Sequence, residues 1–119
     1  MTTKSSHIVL QSLISSFNNH SHIGLRDFLD QKSTYWDPAV GTLNGLDEII
    51  EHAELAWIKF PTRQIEVSVI IGNESVVVAE IICFDSASRD ESTTKLATIV
   101  CNVENNMAQI IRNYFDQKI

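Results

Sequence analysis

Up to residue 60 the apolar side chains recur every three or four positions; from residue 65 onward they tend to alternate. The first spacing belongs to helices and the second to strands. Val9, Leu10, Leu13, Ile14 and Phe17 form one helical stripe. Ser5 or Ser6 can cap its start, and Asn18-Asn19-His20 can stop it, because such side chains favour turns over helix interiors. Ser21 can cap a second, shorter helix with Leu25, Phe28 and Leu29 as its buried stripe. Ile49, Ile50, Ala53, Ala56, Trp57 and Phe60 make a third stripe. Asn44 is its expected cap, and Asp47 and Glu48 fall where the helix dipole favours anions. Pro61 makes Phe60 its last residue.

Between the second and third helices, Thr34 to Asp37 reads as a short extended piece, followed by a glycine-containing turn over 41–45. Pro38 biases Asp37 toward extended backbone and away from helix. Alternation then predicts strands over 65–71, 75–84, 93–103 and 107–115. Gly72-Asn73-Glu74 is a hairpin turn in which Gly and Asn supply positive φ, and Asn105-Asn106 is a second tight turn. Residues 85–92 are polar and read as a longer connection. Hairpin-length links between sequence neighbours imply an antiparallel meander. Helices followed by a meander give an α+β layout in one domain, 1–119.

The later strands are apolar on both alternations. Val77, Ala79, Ile81 and Cys83 share one face; Val76, Val78, Ile82 and Phe84 share the other with Glu80. Such a sheet needs cover on both sides. Three helices cover one, so a homodimer through the other face is expected.

Composition narrows the function classes. The chain is 44% apolar and 20% charged, as expected of an ordinary globular domain. A net charge of −6 argues against nucleic acid or an anionic membrane as partner. No apolar run approaches the roughly 20 residues of a membrane span, and the N-terminus lacks a signal-peptide pattern, so a cytoplasmic protein is expected. Cys83 and Cys101 fall on opposite alternations by this reading, which argues against a disulfide. His20-Ser21-His22 has no companion ligands at metal spacing; no metal and no cofactor are expected.

Asp37 is the candidate for chemistry: a carboxylate at a strand end beside Tyr35 and Trp36. Buried among rings it is a candidate general base; the plainer reading has it accepting backbone N–H bonds in the following turn. His52, between Glu51 and Glu54, can reach the pocket rim as a proton shuttle, although its neighbours favour the solvated helix face. Tyr35 and Trp57 read as core packing that can also contact a ligand.

The order of three helices, Trp36-Asp37-Pro38 and a closing strand Ile110-Ile111-Arg112-Asn113-Tyr114-Phe115 resembles the nuclear transport factor 2-like superfamily, within it the SnoaL-like and ketosteroid-isomerase-like branch. The resemblance implies a cone-shaped α+β barrel, with three N-terminal helices packed on a strongly curved antiparallel sheet around a pocket. It implies Asp37 as the base position. The tyrosine and acid that hold an enolate oxygen in ketosteroid isomerases have their counterparts at Leu13 and Thr98. Leu13 offers no donor and Thr98 only a neutral hydroxyl, so steroid isomerisation is not implied. The Asp–Arg–Asp set of an epoxide-hydrolase-like site is not readily supplied by Asp37, Arg112 and Asp116. Carried over, the alternation facing the pocket is Leu96, Thr98, Val100 and Asn102 on one strand, Ile111, Asn113 and Phe115 on the next, and Ala79, Ile81, Cys83 and Asp85 on the strand before them. Asn102 and Asn113 then become inward amides that need partners. The expected function is a small-molecule pocket for an apolar or amphipathic ligand, with acid–base isomerase, cyclase or hydratase chemistry at Asp37. The alternative is a non-catalytic ligand-binding or dimerisation module.

Overall fold

A computed structural model describes residues 5–88 and 94–116. The helices follow the apolar stripes. In α1 (Ser6–Asn18), capped by the Ser5 hydroxyl accepting from Ile8 N–H, the buried stripe is Val9, Leu10, Leu13 and Ile14. In α2 (His22–Phe28), the Ser21 hydroxyl accepts from Gly24 N–H at 3.0 Å and Leu25 is buried. In α3 (Leu46–Lys59), Ile49, Ile50, Ala53 and Trp57 are buried, and Phe60 is the C-cap before Pro61. The expected Asn44 cap is corrected. The cap is Gly45, at φ 88° and ψ 161°, without a side-chain bond. Glu48 reaches back instead, accepting from Asn44 N–H at 2.9 Å.

Among the described residues the sheet has six strands and is open, in the order β2-β1-β6-β5-β4-β3. They are β1 (Thr34–Asp37), β2 (Gly41–Asn44), β3 (Arg63–Gly72), β4 (Val76–Asp85), β5 (Lys95–Glu104) and β6 (Met107–Phe115). Two corrections follow. The stretch expected to be only a turn contains β2, which forms a hairpin with β1. The sheet is mixed, because β1 runs parallel to β6 with Tyr35 beside Ile111 and Trp36 beside Arg112. The connection between them is no hairpin, so nothing in it forces an antiparallel pairing. Ser33, fully buried, helps fasten β1 to β6: its hydroxyl donates to the Ala108 carbonyl at 2.6 Å. Part of the expected 85–92 connection lies outside the described residues.

Asn105 and Asn106, at φ 54° and 63°, make the second hairpin turn as expected. The first works differently. Gly72 and Asn73 have no positive φ; the Asn73 side chain accepts from Ser75 and Val76 N–H at 2.8 and 3.0 Å. It is an Asx turn rather than a glycine-dependent one.

One sheet face packs on the helices. Val77, Ala79 and Ile81 of β4, Ala97, Ile99, Cys101 and Val103 of β5, and Ala108 and Ile111 of β6 are buried there. The expected β5 alternation is therefore corrected by one residue: Leu96, Thr98, Val100 and Asn102 face outward. Both alternations of β5 are apolar enough to be buried. The one whose only polar residue, Lys95, lies exposed at the strand end took the core, since Thr98 and Asn102 would have needed buried partners. A bulge in β3 between Val67 and Val69 has a similar effect, leaving Val69 and Ile71 exposed while Ile65, Val67 and Ile70 pack inward. Cys83 and Cys101 share the inner face, correcting the expected opposition, but Cys83 pairs with Lys95 and Cys101 with Val77. Six residues of ladder separate them, about 20 Å, and both thiols are free.

Candidate functional site

Asp37 ends β1 and is 4% exposed. Pro38 removes one backbone donor and turns the chain, which brings the next two N–H groups back onto the carboxylate. Ala39 and Val40 N–H both donate to Asp37 Oδ1 at 2.8 Å. Gly41, at φ 77°, then lets the chain return as β2. This much is the plainer of the two readings of Asp37, a carboxylate that organises a turn.

The second oxygen has a different partner. Tyr35 lies two residues earlier on the same strand and so on the same face. Its hydroxyl donates to Asp37 Oδ2 at 2.7 Å. Asn113, from β6, donates through Nδ2 to the Tyr35 hydroxyl at 3.3 Å. The direction of this chain is forced. A carboxylate only accepts, so Tyr35 must donate to it, and the tyrosine oxygen is left to accept from Asn113. Asn113 Oδ1 consequently points elsewhere, buried and without a hydrogen-bond partner among the described residues.

His52 of α3 closes this cluster from the helix side. Its ring centroid lies 5.8 Å from that of Tyr35, and the residue is half-buried, which corrects its assignment to the solvated helix face. The signal was present in the stripe: position 52 follows Ile49 by three and precedes Ala56 by four. Ile111 and Phe115 share the inner face with Asn113 and pack against the core.

Other expected site residues lie apart from this cluster. Leu13 is core packing on α1. Trp57 is held where α1 and α3 meet: its indole N–H donates to the Phe17 carbonyl at 3.0 Å, and His20 stacks on its ring at 5.0 Å. Thr98 and Asn102 lie on the opposite face of the sheet. There Arg112 donates to Asn102 Oδ1 at 3.5 Å, so Asn102 and Asn113 are not neighbours. Arg112 likewise faces outward, away from Asp37.

Burial dominates the acid–base properties of the inner face. It pushes the Tyr35 hydroxyl well above its ordinary range, reinforced by the bond to Asp37 and by that carboxylate's charge. Burial also raises the Cys83 thiol and pushes the Cys101 thiol up to about 12. None of the three is set up to ionise as a nucleophile. Among the described residues, no group of three or more His, Cys, Asp or Glu side chains is placed to hold a metal ion. No helix is long and apolar enough to cross a membrane among the described residues.

Neither a protein-family model nor a curated protein matches the chain by sequence. Solved structures do match. A candidate isomerase of the SnoaL-like family from Agrobacterium tumefaciens str. C58 is 15% identical with a TM-score of 0.77, covering 92% of this chain and 96% of its own. A candidate SnoaL-like polyketide cyclase from Jannaschia sp. CCS1 is 10% identical with a TM-score of 0.78, covering 98% and 92%. An LEH-like epoxide hydrolase from M. tuberculosis is 14% identical with a TM-score of 0.70, covering 92% and 80%. At such identities the likeness is one of fold.

Proposed function

We propose that this chain, which has the SnoaL-like fold of the nuclear transport factor 2-like superfamily, binds a small, neutral, hydroxyl-bearing molecule between sheet and helices. The observation that carries the reading is the unpartnered Asn113 Oδ1 at the end of the Asp37–Tyr35–Asn113 chain. A buried acceptor without a donor costs stability, so a donor group is what the site lacks. An O–H or N–H on the ligand satisfies it. The apolar neighbours Ile111 and Phe115 suit an apolar body on that ligand. Asp37 beside the site and a net charge of −6 disfavour an anion.

Phenol serves as a minimal probe, an apolar ring with one donor. Its titration should shift the Asn113 side-chain amide resonances in a 15N-labelled sample, and Asn113→Leu should weaken phenol binding at least tenfold. Equal binding by wild type and Asn113→Leu would remove this reading.

A second reading adds acid–base chemistry at Asp37, and one detail favours it. Oδ1 takes two hydrogen bonds and Oδ2 only one, which leaves a lone pair of Oδ2 for a substrate proton. The SnoaL-like neighbours named as candidate isomerase and cyclase are consistent with such chemistry. Its test is exchange of the acidic carbon-bound hydrogens of a bound cyclic ketone into deuterated water. Catalysed exchange that Asp37→Asn abolishes supports the base; exchange equal to buffer alone leaves binding as the function.

A further inference from the structure

Donors and acceptors around Asp37 do not balance. The N–H groups of Ala39 and Val40 are both spent on Asp37 Oδ1. The Tyr35 hydroxyl is spent on Asp37 Oδ2, and an amide N–H of Asn113 on the Tyr35 oxygen. Pro38, in the same turn, has no N–H to add. His52 packs its ring on Tyr35, and among the described residues no hydrogen bond joins it to these oxygens. Acceptor capacity is left over at two atoms. Asn113 Oδ1 is buried and has no partner among the described residues. Asp37 Oδ2 takes one bond there, where a carboxylate oxygen has room for two.

The two atoms lie within reach of one small molecule. Asp37 Oδ2 and Asn113 Nδ2 touch the same Tyr35 hydroxyl oxygen, at 2.7 and 3.3 Å, and Asn113 Oδ1 shares its carbon with Nδ2. Hydroxyls on adjacent carbons of a ring point to the same side of the molecule, and each O–H···O bond adds about 2.7 Å of reach. Hydroxyls at opposite ends of a ring point apart and cannot serve both atoms. The surroundings suit a flat ring. Tyr35 and His52 lie with ring centroids 5.8 Å apart, and Phe115, two residues along β6 from Asn113, packs on the same inner face. Aromatic side chains hold an aromatic ligand through offset or edge contacts.

We propose that the ligand is a catechol-type 1,2-diol, one hydroxyl donating to Asn113 Oδ1 and its neighbour to Asp37 Oδ2. This assignment rests on the reading of the site as a pocket for a hydroxyl-bearing molecule, and gives that molecule two adjacent donors instead of one. The second hydroxyl contributes more than the first, because a bond to a carboxylate is charge-assisted and one to an amide oxygen is not. A ligand with a single hydroxyl leaves either Asn113 Oδ1 or the second lone pair of Asp37 Oδ2 without a donor.

A ligand series titrated into 15N-labelled protein tests the assignment. Catechol should bind the wild type about tenfold or more tightly than phenol, the worth of one hydrogen bond to a charged acceptor. Guaiacol, in which one of the two hydroxyls is methylated, and hydroquinone, with its hydroxyls at opposite ends, should bind no better than phenol. Asp37→Asn keeps a carbonyl oxygen for the Ala39 and Val40 N–H groups but sets an NH2 in place of Oδ2, so the advantage of catechol over phenol should vanish. Catechol no tighter than phenol, guaiacol or hydroquinone equal to catechol, or an undiminished advantage in Asp37→Asn would each overturn the diol. Benzylamine binding more tightly than catechol overturns it as well, in favour of an ammonium that reaches both acceptors. Should Asp37→Asn fail to fold, the ligand series on the wild type decides alone. Failure of the underlying pocket reading looks different: neither phenol nor catechol binds, or both bind wild type and Asn113→Leu equally. Failure of the diol alone leaves phenol binding dependent on Asn113.

Discussion

The Tyr35 hydroxyl donates to Asp37 Oδ2 at 2.7 Å, across a single intervening residue of β1. This contact ties the turn after β1 to the interior of the sheet. It also fixes the direction of every hydrogen bond beyond it, as far as Asn113 on β6. Removing it tests the arrangement directly. Tyr35→Phe leaves Asp37 Oδ2 and Asn113 Nδ2 without their partner, and an orphaned buried polar group costs about 1–3 kcal/mol. Asp37→Ala frees the same hydroxyl and also the N–H groups of Ala39 and Val40. Both variants should be destabilised in urea denaturation, Asp37→Ala more. The double variant should lose less than the sum, since the two residues share one bond. Strict additivity would mean that the bond does not form in solution.

Alkaline pH should weaken the fold. Cys101 ordinarily ionises near 9.0 and is pushed up to about 12 by burial. Its folded-state value exceeds its unfolded one, so the folded chain holds this proton more tightly. The associated stability is complete below about pH 9 and falls as pH rises toward 12. Tyr35 and Cys83, raised in the same direction, add to the loss. Each proton released only on unfolding contributes a slope of about 1.4 kcal/mol per pH unit. Urea midpoints measured at pH 8 and pH 10.5 should drop, and Cys101→Ala should drop less steeply. A midpoint independent of pH over this interval would show that the inner face admits water.

Gly45 should be far less replaceable than Gly41. Its φ of 88° with ψ of 161° lies in a region nearly closed to other residues, and an added Cβ would meet the Gln31 carbonyl oxygen at 3.2 Å. Gly41, at φ 77°, has nothing within 4 Å of such a Cβ. Gly45→Ala should cost about 1–3 kcal/mol, and Gly41→Ala about 1 kcal/mol, by thermal or urea denaturation. Equal costs would place the strain elsewhere.

Asn18 extends β3 without being part of it. Its side-chain amide donates to the Ile65 carbonyl and accepts from Ile65 N–H, both at 2.8 Å, as a neighbouring strand would. β3 is an edge of the sheet, where unpaired backbone groups invite other chains. Asn18→Ala should lose about 1–3 kcal/mol and speed hydrogen exchange at Ile65 N–H specifically. Unchanged exchange there would show that the edge is protected by other means.

Much of the layout was legible because local rules set it. The helical stripes, the Ser5 and Ser21 caps and the Asn105-Asn106 turn are properties of a few consecutive residues. Asp37 stood out for the same reason, since Pro38 next to a carboxylate dictates a backbone shape whatever surrounds it. The partners of Asp37 were legible only in part. Tyr35 was visible by its two-residue spacing, whereas Asn113, which bonds to Tyr35, lies 78 positions from it. His52 is ambiguous by sequence because its flanking glutamates point to a solvated face while its spacing from Ile49 and Ala56 points to the buried stripe.

The sequence by itself determined that three amphipathic helices precede a two-faced sheet, and that a carboxylate closes the short strand between them. Tertiary structure decided which residues of β5 look inward, that β1 runs parallel to β6, and that Asp37, Tyr35 and Asn113 form one chain. The reason is physical. Helix periodicity and turn chemistry are stored in neighbouring residues, but a strand apolar on both sides carries no local preference for either face. Only the competition between burying Ala97, Ile99 and Cys101 and burying Thr98 and Asn102 settles it. That competition exists once helices lie on one side of the sheet.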